Sequence, residues 1–195
     1  MMAKVIGLLL LSLTLNFCTG CAAKIPHTLV SEYAKLGTKL IAVVPVQSDS
    51  ADRKAAEMLR DKLVEELYFK GYPKVPTRLI DERLAGNKTA DGIKLSPASI
   101  GEILKVDAVL YATLKEGRIG KGLFYAPTTV DAEFEMRSAK TGESLWRVQY
   151  RIVYRHYGFS HRQMELKASQ DYEPAIQEVV IKALSTLPDA LDTDT

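Results

Sequence analysis

The chain has 195 residues, and its 26 basic and 24 acidic side chains give a formal net charge of +2. A domain that binds nucleic acid carries a strong basic excess, so this near-neutral balance excludes nucleic-acid binding as a property of the whole chain. The length suits a single domain with a substantial hydrophobic core.

The first 20 residues have the composition of a secretory signal peptide. Lys4 supplies a positive start, an apolar run over residues 5–15 follows, and small residues precede Cys21. The apolar run is shorter than the roughly 20 residues that a membrane-spanning helix needs. The end of the segment, Thr19-Gly20-Cys21, resembles the lipobox of bacterial lipoproteins, in which the cysteine is lipidated and becomes the mature amino terminus. An ordinary signal peptide cut nearby, or an uncleaved anchor, is the alternative.

Cys21 fits the lipidated position better than Cys18, because the bulky Phe17 precedes Cys18 whereas Gly20 precedes Cys21. The next residue is Ala22 and not aspartate. By the sorting rule of these lipoproteins, the resemblance implies the outer membrane, with the inner membrane or the cell surface as alternatives. Cys18 would leave with the signal peptide and Cys21 would be acylated. We therefore expect no disulfide, no cysteine nucleophile and no cysteine metal ligand in the mature domain.

Four parts follow from this reading: a signal peptide over residues 1–20, a lipidated Cys21 with a tether over 21–38, an α/β domain over 39–187, and a disordered tail over 188–195. The domain opens with an apolar run up to Val46, which predicts a strand buried on both faces.

A long helix and several shorter helices and strands are predicted next. Residues 51–70 repeat apolar side chains at four-residue spacing and predict a long helix that Gly71 ends. The shorter elements are an edge strand over 72–76, a helix over 78–84 capped by Thr77, a polar loop over 86–95, a helix from Ser96-Pro97 to Lys105, and a buried strand over 107–114. Residues 116–127 contain three glycines and predict a mobile loop or a hairpin tip between two strands. They do not suit a phosphate cradle, which must lead into a helix.

Two alternating segments predict an antiparallel hairpin. Their apolar members are Val130, Ala132, Phe134 and Met136 in the first segment and Trp146, Val148, Tyr150, Ile152 and Tyr154 in the second. Gly142 in the link can take the positive φ that such a turn uses. Placing Met136 opposite Trp146 puts the apolar residues on one face. The same register sets Glu135 opposite Arg147 and Asp131 opposite Arg151, and a shift by one residue would destroy both matches.

The carboxyl-terminal part predicts a solvated polar loop over 155–170 and a last helix over 172–187, ended by Pro188. His156 and His161, with Glu165, fit a metal site poorly because no further ligand lies nearby in the sequence. The nucleophile elbow of hydrolases and the zinc-protease motif are missing. We therefore expect no metal, no cofactor and no enzymatic activity.

The element order, together with the segments 41–45, 106–111 and 140–146, resembles a family of bacterial lipoproteins of unknown function. Their soluble domain is similar to the amino-terminal domain of TolB and to CsgG and LpoB, and the likeness covers residues 39–187. It implies a single α/β domain with a mixed sheet, a long helix after the first strand, and a C-terminal antiparallel hairpin followed by a final helix. It carries over no catalytic residues, and a fold alone does not assign a function.

The expected function is that of an outer-membrane lipoprotein facing the periplasm, which serves an envelope complex in transport, assembly or cell-wall synthesis. Binding of a small ligand or a glycan is the alternative. The pattern leaves the partner's identity and the oligomeric state open. The candidate partner-contact residues combine basic and aromatic side chains in the two predicted loops: Arg118, Lys121, Phe124, Tyr125, His156, Tyr157, His161 and Arg162. The basic and aromatic run from Arg147 to Arg162 also suits contact with anionic lipid headgroups, lipopolysaccharide or glycan, and a solvated strand face followed by a loop is the alternative interpretation.

Overall fold

A mixed six-stranded sheet organises the fold. The computed structural model describes residues 24–48, 53–89, 92–93, 95–120, 125–157, 160–170 and 172–190. The strands are β1 (His27–Leu29), β2 (Ile41–Val43), β3 (Gln47–Ser48), β4 (Lys88–Thr89), β5 (Gly92–Ile93), β6 (Ala108–Ile119), β7 (Tyr125–Ser138) and β8 (Ser144–Tyr157). The helices are α1 (Arg53–Phe69), α2 (Thr77–Leu84), α3 (Pro97–Leu104), α4 (His161–Gln170) and α5 (Tyr172–Leu184).

The strand order in the sheet is β1-β8-β7-β6-β2, and β3 also pairs with β6. Strands β2 and β3 run parallel to β6, whereas β6, β7, β8 and β1 form an antiparallel series. The small β4–β5 ladder stands apart from this sheet. The predicted mixed sheet, with its long helix, hairpin and final helix, is therefore confirmed.

The hairpin register is the one that the alternating pattern predicts. Met136 lies opposite Trp146, Glu135 opposite Arg147, and Asp131 opposite Arg151. Gly142 has φ +75° in the connecting turn. The alternation sends the apolar side chains to one face, where α1 and α5 cover them and where Phe134 and Trp146 are fully buried.

The opposite face of the sheet is covered over only part of its width. Helices α2 and α3 pack Ile80, Leu84 and Ile100 against Ala42 and Val109. Beyond β6 this face carries charged side chains that are open to solvent or half-buried. The partial cover explains why β2 reads as a continuous apolar run while β7 and β8 alternate.

Several predicted boundaries are wrong. Residues 72–76 form an irregular segment instead of a strand. Tyr72 anchors this segment, since its side chain is buried and its hydroxyl donates to the carbonyl of Pro188 at 2.9 Å. Helix α2 begins at Thr77 after Pro76 and has no side-chain cap. Ser96 does cap α3, accepting from the Ser99 amide at 3.1 Å.

The folded part starts earlier and ends later than predicted. His27–Leu29 form β1 within the expected tether, and Tyr33 is only 2% exposed in the core. At the other end Ala190 donates its amide to Lys70, whose side chain also pairs with Asp189. The predicted tail over 188–195 is thus folded up to Ala190, and its last five residues lie outside the described ones.

Within the described ranges, no helix combines the length and the apolar character required to cross a bilayer.

Candidate functional site

The predicted contact residues gather at one end of the sheet. Ile119 of β6 lies opposite Thr128 of β7, and Tyr125 lies opposite Tyr157 of β8. Helix α4 starts at His161, four residues after the last residue of β8, and packs against β7 and β8. We call this end, where β6 ends and β7 begins, the hairpin end. Its residues are Arg118, Tyr125, His156, Tyr157 and Arg162.

The side chains at the hairpin end are mostly exposed. The Arg118 side chain is 73% exposed, and its Nε donates to Glu116 at 2.6 Å. Tyr157 is 68% exposed, and Arg162 is exposed on α4. His156 is half-buried, with its Nε2 3.4 Å from the hydroxyl of Thr128. Exposed basic and aromatic groups at one end suit contact with an anionic surface better than chemistry on a bound substrate.

Both loops predicted in this region are largely regular structure. Strand β6 continues to Ile119 and β7 begins at Tyr125, so most of residues 116–127 belongs to two paired antiparallel strands, in agreement with the predicted hairpin tip. Strand β8 extends to Tyr157, and residues 161–170 form α4. Lys121 and Phe124 lie outside the described residues.

A second feature is the open face of β6, β7 and β8, which carries a series of ion pairs. Glu135 pairs with Arg137 at 3.1 Å and with Arg147 at 2.9 Å. Lys115 of β6 pairs with Glu133 of β7 at 2.7 Å. These neighbouring charges neutralise one another, so the face has no large field of one sign.

The sequence places Asp131 opposite Arg151 correctly, yet the two do not share a salt bridge. Arg151 pairs instead with Glu116 of β6 at 3.0 Å, and Asp131 accepts from the Gln149 amide at 2.9 Å. The extension of β6 provides Glu116 as a competing carboxylate, which the prediction had placed in a loop.

A cleft of about 340 Å³ opens on this face beside the start of α3, and Tyr111, Glu133, Glu135 and Arg137 contribute to its lining. Burial raises the pKa of the Tyr111 phenol, Arg137 acts against this, and Glu135 adds to it. For Glu135, burial acts to raise the carboxyl pKa. Hydrogen bonds from Arg137, Arg147 and Ser144 outweigh it, so that the pKa is lowered. Glu135 is therefore held as an anion and is a poor proton donor near neutral pH.

A larger groove, of about 710 Å³, lies at the opposite end of the sheet, which we call the turn end because the link from β7 to β8 is there. Val30, Leu36 and Leu145 give the groove an apolar part; Val30 is 40% and Leu36 50% exposed. The charged residues of its lining are Glu32, Asp107, Lys140 and Glu143. Sequence reasoning missed this groove because it assigned residues 30–38 to a tether. The apolar residues within that stretch were the available signal.

The described part of the chain holds no group of three or more His, Cys, Asp or Glu that could bind a metal ion. Every buried side-chain nitrogen and oxygen in that part has a hydrogen-bond partner. His156 ends up next to Thr128 in the sheet, whereas His161 begins a separate helix. Among the described residues, the features that can contact another molecule are therefore the hairpin end and the cleft and groove described above.

The chain enters the sheet from the side of the hairpin end. Strand β1 is antiparallel to β8, with His27 opposite Val148 and Leu29 opposite Trp146. Residues before His27 therefore lead toward the later part of β8, which ends at Tyr157. Ile25 packs against the main core, and its carbonyl lies 2.8 Å from Nδ1 of His27.

Comparison with solved structures identifies similar folds. Lipoprotein GNA1162 from Neisseria meningitidis matches with a TM-score of 0.56 and 22% identity, over 68% of this chain and 94% of that chain. The PelC dodecamer from Paraburkholderia phytofirmans matches with a TM-score of 0.54 and 12% identity, over 85% and 99%. The LpoB C-terminal domain from Escherichia coli matches at 0.42 and 15%, over 59% and 82%. At these identities the GNA1162 and PelC structures show the fold alone. No curated protein sequence matches significantly.

The family comparison is more specific and confirms the predicted resemblance. The model of the family described as "Putative lipoprotein GNA1162-like" matches residues 30–170, which is well over half of the chain. The matched segment runs from the end of β1 through α4. The chain therefore belongs to the GNA1162-like lipoprotein family.

Proposed function

We propose that this protein is an outer-membrane lipoprotein, anchored through Cys21 and facing the periplasm, that acts as a non-enzymatic accessory module of an envelope complex. The observation that carries the proposal is the short distance between the anchor and the fold. Strand β1 begins at His27, six residues after Cys21. Six residues span at most about 20 Å, so a lipid on Cys21 would hold the domain against the membrane. Family membership and the residues around Cys21 support the same reading.

Metabolic labelling with palmitate tests the anchor. The wild-type protein and Cys18→Ser should incorporate label, and Cys21→Ser should not, because only Cys21 follows a small residue. Two or more acyl chains give stable anchoring where a single chain does not. Label retained by Cys21→Ser would refute the assignment of the lipid to this residue.

Membrane separation tests the location. The wild type should fractionate with outer membranes, because Ala22 follows the lipidated cysteine. Ala22→Asp should shift the protein to inner membranes while it still incorporates palmitate. Wild-type protein in the inner membrane would overturn the proposed location without affecting the proposed anchor.

The turn-end groove is the surface that we propose for docking onto the envelope partner. Its exposed Val30 and Leu36 provide an apolar centre, and three of the four charged residues that line it are acidic. Interfaces of this kind combine an apolar centre with a polar rim. The groove therefore suits a short apolar segment of the partner that is flanked by basic residues.

Cross-linking in intact cells tests the docking. A photo-reactive residue at Leu36 should yield a defined adduct. Val30→Asp should abolish this adduct, because burying an unpaired carboxylate in the interface costs free energy. The matched control is a photo-reactive residue at Leu79, which is 39% exposed on α2. Equal adducts from Leu36 and Leu79 would show that the groove is not the docking surface.

The second candidate function, binding of a small ligand or glycan, rests on the cleft beside Tyr111. An aromatic ring with carboxylate and guanidinium groups at its edge suits a sugar, and the cleft volume of about 340 Å³ lies within the range of small-ligand sites. Thermal-shift screening with cell-wall fragments should then show stabilisation that Tyr111→Ala removes. If no fragment stabilises the protein, this alternative fails.

A further inference from the structure

The excess of positive charge lies at the end of the sheet from which the anchor approaches. Among the described residues, β6 from Gly117, β7 up to Thr129, β8 from Val153 and α4 form this end. They carry one acidic residue, Glu165, and four basic ones: Arg118, Arg155, Arg162 and Lys167. Arg118 is paired with Glu116, which directly precedes this part of β6, so the excess charge lies on the other three basic residues. All four basic side chains are exposed, and the aromatic and aliphatic side chains of Tyr157 and Leu166 are 68% and 59% exposed among them.

The opposite end of the sheet has no such excess. The described charged residues at and beside the turn-end groove are three basic and three acidic ones: Lys35, Lys39, Lys140, Glu32, Asp107 and Glu143. Lys35 and Glu32 form an ion pair at 2.8 Å. The asymmetry is therefore a property of the molecule's two ends, because the chain as a whole is close to neutral.

The direction of β1 points the chain before it toward the positive end. Strand β1 is antiparallel to β8, so its start at His27 is directed toward the end of β8 that holds Tyr157, and Lys24 is separated from Cys21 by only two residues. Three peptide units span at most about 11 Å. The acyl chains would thus enter the bilayer close to the edge of β8, on the side of the hairpin end.

We infer that the hairpin end rests on the anionic phospholipid headgroups of the membrane that holds the anchor, an orientation that rests on the lipid anchor proposed above. Basic side chains near an anionic surface are attracted within about a Debye length, and a lipid chain combined with a basic patch binds more firmly than either. Tyr157 suits the interface because its ring is apolar and its hydroxyl is polar. This orientation turns the groove at the turn end toward the periplasm.

The inference is tested with lipidated protein reconstituted in vesicles. Because Cys18 and the thiol of Cys21 are spent in the lipoprotein, Ser160→Cys and Thr141→Cys each provide one labelling position, at the hairpin end and at the turn end. Vesicles of phosphatidylethanolamine and phosphatidylglycerol carry a nitroxide on the headgroup, which quenches nearby fluorophores. We expect strong quenching of the label at position 160 and little at 141. The difference should shrink in vesicles of phosphatidylcholine.

Matched charge reversals provide the decisive comparison. Arg155→Glu, Arg162→Glu and Lys167→Glu together should abolish the difference between the two labels. Lys35→Glu, Lys39→Glu and Lys140→Glu together change the net charge equally and should leave it intact. Equal quenching at 160 and 141 in the unaltered protein, or the same loss in both triple variants, would overturn the inference.

Flotation of the vesicles separates this inference from the proposed function. Protein that floats and is quenched equally at both positions is anchored without the inferred orientation, so the inference alone fails. Protein that does not float has no anchor, and the proposed function and the inference fail together. Melting temperatures of both triple variants close to that of the wild type confirm that a loss of quenching does not reflect unfolding.

Discussion

Arg60 is a buried basic residue that connects α1 to two other elements. It is 8% exposed; its Nε and Nη2 donate to the carbonyl of Val43 at 3.1 and 2.9 Å, and its Nη1 pairs with Asp81 at 2.9 Å. It therefore fixes the end of β2 between α1 and α2. Arg60 lies between Ala56 and Val64 at four-residue spacing on the helix, and this position within an apolar row was the available signal that it is buried.

Arg60→Met should lower the free energy of unfolding by about 2 kcal/mol, since the carbonyl of Val43 loses a charged donor in a buried place. The control is Arg78→Met, because Arg78 is 89% exposed and pairs with Glu82 on the same helix. An exposed pair of this kind contributes about 0.5 kcal/mol or less. Urea unfolding followed by circular dichroism measures both values. Equal losses in the two variants would contradict the role assigned to Arg60.

The lowered pKa of Glu135 makes the free energy of unfolding depend on pH. Its pKa in the folded state is lowered, against the effect of burial, by hydrogen bonds from Arg137, Arg147 and Ser144. In the unfolded state a glutamate has a pKa of about 4.3. The unfolded state therefore binds more protons at acid pH, and the contribution of Glu135 is fully present above about pH 4.3 and is lost as the pH falls through the folded-state value.

Between about pH 6 and about pH 3, the free energy of unfolding of the wild type should fall more steeply than that of Glu135→Gln. An NMR titration should also show that Arg147→Met moves the pKa of Glu135 upward, because Arg147 is one of its donors. Arg155→Met, on the same strand but at the hairpin end, is the control and should leave that pKa unchanged. Parallel pH profiles for the wild type and Glu135→Gln would exclude the proposed linkage.

At the scale of elements, the β7–β8 pair shows that two cross-strand pairs in the same register need not interact equally strongly. Glu135–Arg147 and Asp131–Arg151 occupy equivalent cross-strand positions, but only the first pair is joined by a salt bridge, at 2.9 Å. Arg151 is drawn to Glu116 on β6. The two pairs therefore set the same register and stabilise it unequally.

Double-mutant cycles should measure this difference. Replacing Glu135 and Arg147 by alanine, singly and together, should give a coupling energy of about 0.5–1 kcal/mol, as expected for a partly exposed cross-strand pair. The same cycle at Asp131 and Arg151 should give a coupling close to zero, while Glu116 and Arg151 should couple measurably. Equal couplings at Asp131–Arg151 and Glu135–Arg147 would show that register alone governs these energies.

The sequence patterns predict the long elements well and the short ones poorly. Alternation over β7 and β8 specifies the register because one face must be buried. β1 has only three residues, too few for a periodic signal, and it is recognised only through its partner β8. The last helix ends at Leu184, three residues before the predicted end.

Gly117 in β6 and Gly120 directly after it explain the error at the hairpin end. A Cβ on Gly117 would lie 2.8 Å from the hydroxyl of Tyr172, and one on Gly120 would lie 2.6 Å from Cγ of Pro127. These glycines permit close packing of β6 against its neighbours, whereas the sequence suggests flexible loop positions. Tyr172 lies 55 residues after Gly117, and such a packing partner cannot be identified from local composition. For the same reason the sequence predicts which residues belong to the candidate site but not how they are arranged in space.

At the scale of the whole molecule, the proposals depend on a short connection between anchor and fold. The predicted tether of 18 residues would let the domain rotate freely and move far from the bilayer. Strand formation at His27 shortens the connection to a few residues. The lipid, the hairpin end and the groove at the turn end then acquire fixed positions relative to the membrane, which is what an accessory module needs to present one surface to a partner.

Lengthening this connection should weaken the orientation while preserving the anchor. A Gly/Ser linker of about 20 residues inserted after Ala22 has a root-mean-square span of about 25 Å, so charge attraction alone would hold the hairpin end to the membrane. Increasing salt shortens the Debye length toward about 3 Å at 1 M and should release the label at position 160 from quenching at lower salt than in the unaltered protein. The same linker appended after Thr195 lengthens the chain equally and should not change the salt dependence. Identical salt profiles for all three proteins, with flotation retained, would show that the short connection does not orient the domain.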